Sequence, residues 1–202
     1  MQLKRPISQA GFTLVEVLVT IFVVAIGLLT ATALQAISKK AAFDAMQRTT
    51  ATVIAQDMLE RIRSNSLQID AYVTQGVEVK AAPATPTCGS SGGTACSAAD
   101  LVTFDIANWW QALDGVSEQI SEGDGSTASA GGLRSPVGCI RRTGAMVEVV
   151  IAWRGMTAIT QASDGDPDDP TSDTCGASEA AYEPANGQSF RRVLRLQAHV
   201  RA

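Results

Sequence analysis

The chain has 202 residues, of which 46% are apolar, 18% charged and 5% aromatic. That is enough for one ordinary domain plus one further element, but not for two full domains. The apolar residues are concentrated: Val17 to Ser38 is an uncharged run of 22, whereas Gly155 to Ser189 is mostly Asp, Gly, Ser, Pro and Ala. This distribution excludes a wholly cytosolic globule, a disordered chain and a polytopic transporter, and the formal charge of -4 argues against a dedicated nucleic-acid binder.

In chain order, Lys4 and Arg5 form a short basic leader, then come Gly11, Phe12, Thr13, Leu14, Val15 and Glu16, and the apolar run follows. A secretory signal peptide is cut after its apolar stretch and loses it; a cut between Gly11 and Phe12 keeps that stretch on the mature chain. It removes two of the 16 basic residues and none of the 20 acidic ones, so -4 becomes -6. As a helix, residues 17–38 cover about 33 Å, against a bilayer core of about 30 Å. Lys4 and Arg5 predict the amino end in the cytoplasm, although Lys39 and Lys40 flank the other end. Glu16 stands out. A carboxylate inside a membrane costs roughly 2.5 to 3.5 kcal/mol on insertion scales, which makes it a functional candidate by default.

The hexapeptide Gly11-Phe12-Thr13-Leu14-Val15-Glu16 resembles the processing motif of type IV pilins and of type II secretion pseudopilins. The resemblance implies cleavage after Gly11 by an inner-membrane prepilin peptidase and N-methylation of Phe12. It implies a single-pass subunit of the bacterial inner membrane with a periplasmic domain, later drawn into a pilus filament at the cell surface. As partners it implies major and other minor pilins, the peptidase, the inner-membrane assembly platform and, before assembly, membrane lipid. The electrostatics of Glu16 fit. A freed Phe12 carries a cationic amine with a reference pKa near 8, and Glu16 lies one turn away, about 6 Å along the axis. A neighbouring helix displaced by that rise brings its amine beside this carboxylate, neutralising two charges that are each costly alone and setting register. An intramolecular Phe12–Glu16 contact is the competing geometry.

Beyond the apolar run, Phe43, Met46, Thr50, Val53, Ile54, Met58 and Ile62 recur at three- and four-residue steps, one apolar stripe of a helix. Asp44 with Arg48, and Asp57 with Arg61, stand four apart. No proline interrupts Pro6 to Pro83, and Ser64, Asn65 and Ser66 are plausible stop residues. The pattern predicts one helix from Phe12 to Arg63, apolar all round in its first half and amphipathic in its second. A sustained heptad is missing, which disfavours a coiled coil.

Further on, Tyr72, Val73, Val77 and Val79 give a strand signal within Leu67 to Lys80. Ala81 to Ser97 reads as a loop. Ser97 with Asp100 opens a short helix that Gly115 stops, with Trp109 and Trp110 as packing residues. Cys139 to Arg142 and Ala145 to Arg154 read as a hairpin with Gly144 near its turn. Val193 to Arg201 reads as a strand with Leu194, Leu196, Ala198 and Val200 on one face. An antiparallel sheet with one face buried follows, covered by the amphipathic half of the long helix. The fold class is α+β: a type IV pilin-like fold with a long N-terminal helix on a small antiparallel sheet and disulfide-tied loops. The expected organisation is a leader at 1–11, a transmembrane and filament-core helix at 12–38, the amphipathic half at 39–65 and a globular domain at 66–202. The segment from Ala98 to Gly115, especially Phe104-Asp105-Ile106-Ala107-Asn108-Trp109, is similar to one in the minor pilins called type IV pilus modification proteins.

Four cysteines, Cys88, Cys96, Cys139 and Cys175, lie in the exported part, so two disulfides are expected; pairing Cys88 with Cys96 and Cys139 with Cys175 closes two loops poor in core residues. The spacing offers no Cys-x-x-Cys knuckle and His199 is the lone histidine, so no metal site is expected, and nothing calls for a cofactor. Gly89-Ser90-Ser91-Gly92-Gly93 fits G-x-S-x-G by letter but sits in a low-complexity loop, so no catalytic residue is assigned and the chain reads as no enzyme. Asp164, Asp166, Asp168, Asp169 and Asp173 fail the EF-hand spacing and read as a solvated loop. Arg141, Arg142, Arg191, Arg192, Arg195 and Arg201 form a basic cluster facing water or a subunit rather than DNA. The expected function is therefore a minor type IV pilin that primes or modifies pilus assembly. A minor pseudopilin shares the same stem, and a surface adhesin or DNA-uptake module using the arginine cluster is the alternative of another class.

Overall fold

The computed structural model describes residues 11–84, 86, 88, 94–116, 119–121, 123, 125–129, 131–160, 172–183 and 189–201. The elements are α1 (Leu14–Ser64), a 3-10 turn (Ser66–Gln68), α2 (Ile69–Gln75), α3 (Ala98–Asp114), β1 (Gln119–Ser121), β2 (Thr127–Ser129), β3 (Val137–Thr143), β4 (Met146–Ile159), a second 3-10 turn (Ala180–Tyr182) and β5 (Ser189–His199). β1 and β2 form a small hairpin, while β3, β4 and β5 form an antiparallel sheet in that order. The chain divides into two compact units, residues 1–42 and 43–202.

The first unit holds the beginning of α1. The uncharged run contains no proline and a single glycine, Gly27, and the threonines that could compete with helix geometry are satisfied by it. Thr20, Thr30 and Thr32 each donate the hydroxyl to a carbonyl three or four residues back, at 2.8 to 2.9 Å. The helix is long and apolar enough to cross a membrane, and the chain buries none of its most apolar window.

In the second unit, the remainder of α1 contributes Ala51, Ile54, Ala55, Met58, Leu59 and Ile62 to the core. Val102, Ile106, Trp109 and Leu113 of α3, Ile140 of β3, and Val147, Val149, Ile151 and Trp153 of β4 complete it. The buried stripe of α1 differs from the expected one. Met46 and Val53 are each 60% exposed, while Ala51 and Ala55, too small to mark a stripe, are fully buried in the core. Asp44 and Arg48 do not pair either: Asp44 accepts the Met156 amide at 2.9 Å and faces Arg192 at 3.6 Å. Asp57 and Arg61 do pair, at 2.7 Å.

The expected strand within Leu67 to Lys80 is mostly helical. Ile69 and Tyr72 are buried three apart on α2, a helical spacing that burial enforces over the β-branched residues around it. Only Val79 behaves as strand, in a single bridge to Gly138. α3 starts and stops at the expected places: the Ser97 hydroxyl accepts the Asp100 amide at 3.2 Å, and Gly115 closes the helix at φ 72°. Its Trp109 ring lies against Gly138 of β3, where a Cβ would come within 2.4 Å of the ring. The β3–β4 hairpin closes at Thr143 and Met146 around Gly144, and β4 runs five residues past its expected end at Arg154.

Both faces of the sheet are covered, not one. Val147, Val149, Ile151 and Trp153 face the main core, whereas Val150 and Ala152 pack with Val137, Cys139, Cys175 and Tyr182 in a second apolar cluster. The Cys139–Cys175 bridge, joined across a separation of 36 residues, holds residues 172–183 over that second face. Cys88 and Cys96 form the other bridge.

Candidate functional site

Three groups of residues bear on function. In the first unit, Gly11, Phe12 and Thr13 precede α1. The Thr13 hydroxyl accepts the Glu16 amide at 3.3 Å and its carbonyl accepts the same amide at 3.1 Å, so Thr13 is the N-cap and Glu16 the third residue of the first turn. The Thr-x-x-Glu spacing is that of a capping box, a signal readable in the sequence that points to Thr13. An acid in the first turn is also favoured by the helix dipole. Phe12 is 83% exposed and Glu16 is exposed too, and among the described residues no group pairs with the Glu16 carboxylate. From Phe12 through Ile37 the large apolar side chains lie open. So continuous an uncovered surface marks a segment whose environment is lipid or other protein.

The second group covers the outer face of the sheet in the second unit. Asp173, with a side chain 1% exposed, accepts from Arg141 Nη1 at 2.8 Å, Arg141 Nη2 at 3.0 Å, Arg195 Nη2 at 3.1 Å and the Cys175 amide at 2.7 Å. Glu148 lies 3.0 Å from Arg195 and 4.0 Å from Arg141. Burial alone would raise the Asp173 pKa, but the Arg141 and Cys175 hydrogen bonds, with the charges of Arg141 and Arg195, hold it below its ordinary value. Arg191 is buried and donates to the Cys175 carbonyl at 2.9 Å; burial lowers its pKa, against the pull of Asp173 and Tyr182. Arg142 pairs with Asp70 at 2.6 Å, and Arg192 with Asp44 and the Thr157 carbonyl. The basic cluster is thus engaged within the domain, apart from exposed Arg201. Asp173 corrects the solvated-loop expectation for its position. Asp164, Asp166, Asp168 and Asp169, and the Gly89 to Gly93 motif, lie outside the described residues.

The third group fixes the Phe104 to Trp109 segment of α3. Buried Asp105 accepts a hydrogen bond from the Tyr72 hydroxyl and another from Arg61 Nη1 at 3.0 Å, while Asn65 reaches the Ala98 carbonyl at 2.9 Å. Burial and the Asp105 hydrogen bond raise the Tyr72 pKa. With Trp109 fully buried and Trp110 partly so, this segment fastens α3 to the end of α1 and to α2. The sequence gives Tyr72 and Asp105 no pairing role; a lone acid on the α3 face that carries Val102, Ile106 and Trp109 is the one signal of it. Among the described residues no group of three His, Cys, Asp or Glu side chains could hold a metal ion, and His199 is exposed on β5. The arrangement can pair charges and present apolar surface.

Two protein families match the chain. The prokaryotic N-terminal methylation motif matches residues 7–32, which contain Gly11, Phe12 and Glu16. The family described as type IV pilin Tt1218 matches residues 33–107, from the end of the uncharged run into α3. No curated protein and no solved structure matches. The fold is type IV pilin-like, with a long N-terminal apolar helix, a small antiparallel sheet and two disulfides.

Proposed function

We propose that this chain is a minor type IV pilin of the PilV kind, a structural subunit that primes or modifies pilus assembly. Residues 1–11 are its leader, removed by prepilin peptidase between Gly11 and Phe12, after which Phe12 is N-methylated. Residues 12–38 cross the inner membrane with the amino end in the cytoplasm and later enter the filament core. Residues 39–65 are the amphipathic half of the stem, and residues 66–202 the domain in the periplasm and then on the pilus. One observation carries the reading: a helix that leaves every large apolar side chain from Phe12 through Ile37 uncovered, headed by a single acid, Glu16, four residues after Phe12 and inside the matched N-terminal methylation motif. A segment so built is stable only against lipid or like helices. The separate sheet domain, whose arginines are engaged by its own carboxylates, supports contacts with other pilins over a DNA-uptake role.

Intact-mass analysis of the protein from sheared pili tests the reading. The expected mass is that of residues 12–202 plus one CH2, for a methyl that replaces an amine hydrogen, less four hydrogens for the two disulfides. A mass that retains the first eleven residues, or absence of the protein from pili of a piliated strain, sinks it.

A further inference from the structure

The β3-β4-β5 sheet of the second unit has two edges, and they are finished differently. At β3, Val79 and Gly138 exchange amide-to-carbonyl hydrogen bonds at 2.7 and 3.1 Å, and the Ile140 amide donates to the Gly76 carbonyl at 2.6 Å. At β5 the far edge meets no strand among the described residues. The register fixes which groups it presents. The Val200 amide donates to the Ala145 carbonyl at 2.9 Å, so Ala198–Val147, Leu196–Val149 and Leu194–Ile151 are the hydrogen-bonded pairs. The alternate residues Val193, Arg195, Gln197 and His199 therefore turn amide and carbonyl away from β4, and among the described residues the amides of Val193, Gln197 and His199 find no acceptor. No proline or bulge interrupts Arg191 to His199, so two usual protections of an edge strand are missing. Charge guards it little, since Arg192 and Arg195 are drawn into the domain by Asp44, Glu148 and Asp173. Leu194 and Leu196 remain half-buried on the face toward the main core. At one end of this edge, α1, β4 and β5 leave an open cavity of about 310 Å³ lined by Asp44, Ala45, Arg48, Trp153, Arg192 and Val193. Asp44 is taken by Arg192 and the Met156 amide, whereas Arg48 is exposed and, among the described residues, has no carboxylate partner. The lining carries one positive charge in excess.

We propose that the open edge of β5 docks an extended acidic segment of another protein, added antiparallel as a further strand, with a carboxylate seated against Arg48. Three features select this occupant. Unmet backbone groups on alternate residues call for an extended chain, half-buried Leu194 and Leu196 call for apolar side chains at every second position, and the cavity beside them calls for an acid. A second copy of β5 fits poorly: Ser189–His199 holds three arginines and no acid, and like charges facing each other across strands oppose pairing. The inference uses only the geometry of this domain and stands apart from the pilin reading. The full-length chain in detergent is followed by residue-resolved amide hydrogen exchange. The probe is a capped peptide of threonines alternating with valine, valine and glutamate in that order; its controls carry lysine for glutamate, or N-methyl groups on the amides that would face β5. The same segment joined after Ala202 by a Gly/Ser linker, at a roughly millimolar effective concentration, makes weak docking readable. In the free protein the Val193, Gln197 and His199 amides should exchange quickly and those of Leu194, Leu196 and Ala198 slowly. The acidic peptide should slow the first set about tenfold at ten times its Kd. Lysine in the peptide, or Arg48→Gln in the protein, should weaken binding about three- to fivefold, the range of an exposed ion pair. Arg63→Gln, on the same helix and paired with Glu60, should leave it unchanged, and the N-methylated peptide should not bind. Slow exchange of Val193, Gln197 and His199 at every concentration of the free protein means that the chain closes its own edge, and slowing that grows with protein concentration alone means that a second copy does. Either result overturns the proposal. So does equal binding of the acidic peptide and either control, an affinity unmoved by Arg48→Gln, or no protection from the free or the tethered segment.

Discussion

Replacing Asp173 with Asn keeps the shape of the side chain and removes the charge around which the outer sheet face is organised. The carboxylate accepts four hydrogen bonds, three from Arg141 and Arg195 and one from the Cys175 amide. An asparagine can offer one oxygen to those donors and must turn an NH2 group toward a guanidinium. Breaking a buried ion pair from one side costs about 3 to 5 kcal/mol. Here the figure is lower, because the Arg141 and Arg195 side chains are 36% and 21% exposed and Glu148 stays beside both; solvent and the second acid take up part of the lost interaction. We expect a loss of about 2 to 3 kcal/mol near neutral pH, a fall of about 5 to 10 °C in Tm for a domain of this size. The pH dependence has a definite sign. The folded protein holds the Asp173 pKa below its ordinary 3.8, so the contribution is complete above that value and is lost as pH falls below it through the lowered one. Thermal unfolding of the full chain in detergent, followed by circular dichroism at about pH 7 and about pH 3, should therefore show the gap between wild type and Asp173→Asn closing in acid. A gap under ~0.5 kcal/mol at neutral pH, within the scatter of ordinary surface changes, or one of equal size at both pH values, refutes the network as described.

Three other perturbations test the rest of the domain. In the chain-entropy account, opening the Cys139–Cys175 closure of 36 residues costs about 4 kcal/mol and the Cys88–Cys96 closure of 8 about 2.5 kcal/mol; urea unfolding of the paired serine variants should rank them so, and the reverse order removes the argument that the longer bridge secures the second sheet face. Gly138→Ala drives a methyl into the Trp109 ring and should cost about 1 to 3 kcal/mol, partly restored when Trp109 is also changed to Phe; a double-mutant cycle with no coupling shows that the contact is not made. Both tyrosines of the chain, Tyr72 and Tyr182, have pKa values raised, first by burial, and then by Asp105 for Tyr72 and by Glu179 for Tyr182. Because the folded state keeps those protons, stability is complete below the ordinary value near 10 and is lost as pH climbs past it. Tyrosinate absorption should then appear together with unfolding, and its appearance in the folded protein near the ordinary value contradicts the burial.

What the sequence made legible was local. The run from Phe12 to Ser64 shows its helix through uninterrupted propensity, the Ser97–Asp100 cap and Gly115 bracket α3, and Gly144 marks the hairpin; each signal sits within a few residues of its effect. What stayed hidden depends on distant partners. Residues 69–75 carry a valine and a tyrosine that suit a strand, and only burial of Ile69 and Tyr72 against α3 and β3 makes them helical. Large apolar residues outweigh alanines in any periodicity, so Met46 and Val53 read as inward, yet it is Ala51 and Ala55 that are fully buried. Asp173 looked like one more acid in a polar loop; its burial needs Arg141 from β3 and Arg195 from β5. At the amino end the Gly11, Phe12 and Glu16 pattern was readable because processing acts on linear sequence, and Thr13 was readable in principle from its spacing to Glu16.

On the proposed reading, the energetics of the stem give Glu16 opposite signs in two places. Lipid tails are as apolar as Leu, so moving the stem from membrane to filament gains no hydrophobic free energy and must rely on close packing and polar terms. Gly27 and Ala31, a small pair four apart, suit close packing. The threonines cannot supply the polar term, since Thr20, Thr30 and Thr32 already bond to their own helix. The Glu16 carboxylate, without a partner among the described residues, and the amine that cleavage frees on Phe12 can supply one. In the membrane the acid is a cost of roughly 2.5 to 3.5 kcal/mol; beside a neighbour's amine that cost is offset and becomes a register constraint. Glu16→Ala should accordingly leave the membrane pool intact or enlarged while depleting the protein from sheared pili, and quantitative immunoblots of the two fractions decide it. A folding defect lowers both pools, and a register role moves them apart. If the pilus fraction holds its normal share, the pairing of Glu16 with a neighbouring Phe12 amine is wrong, whatever the fate of the domain.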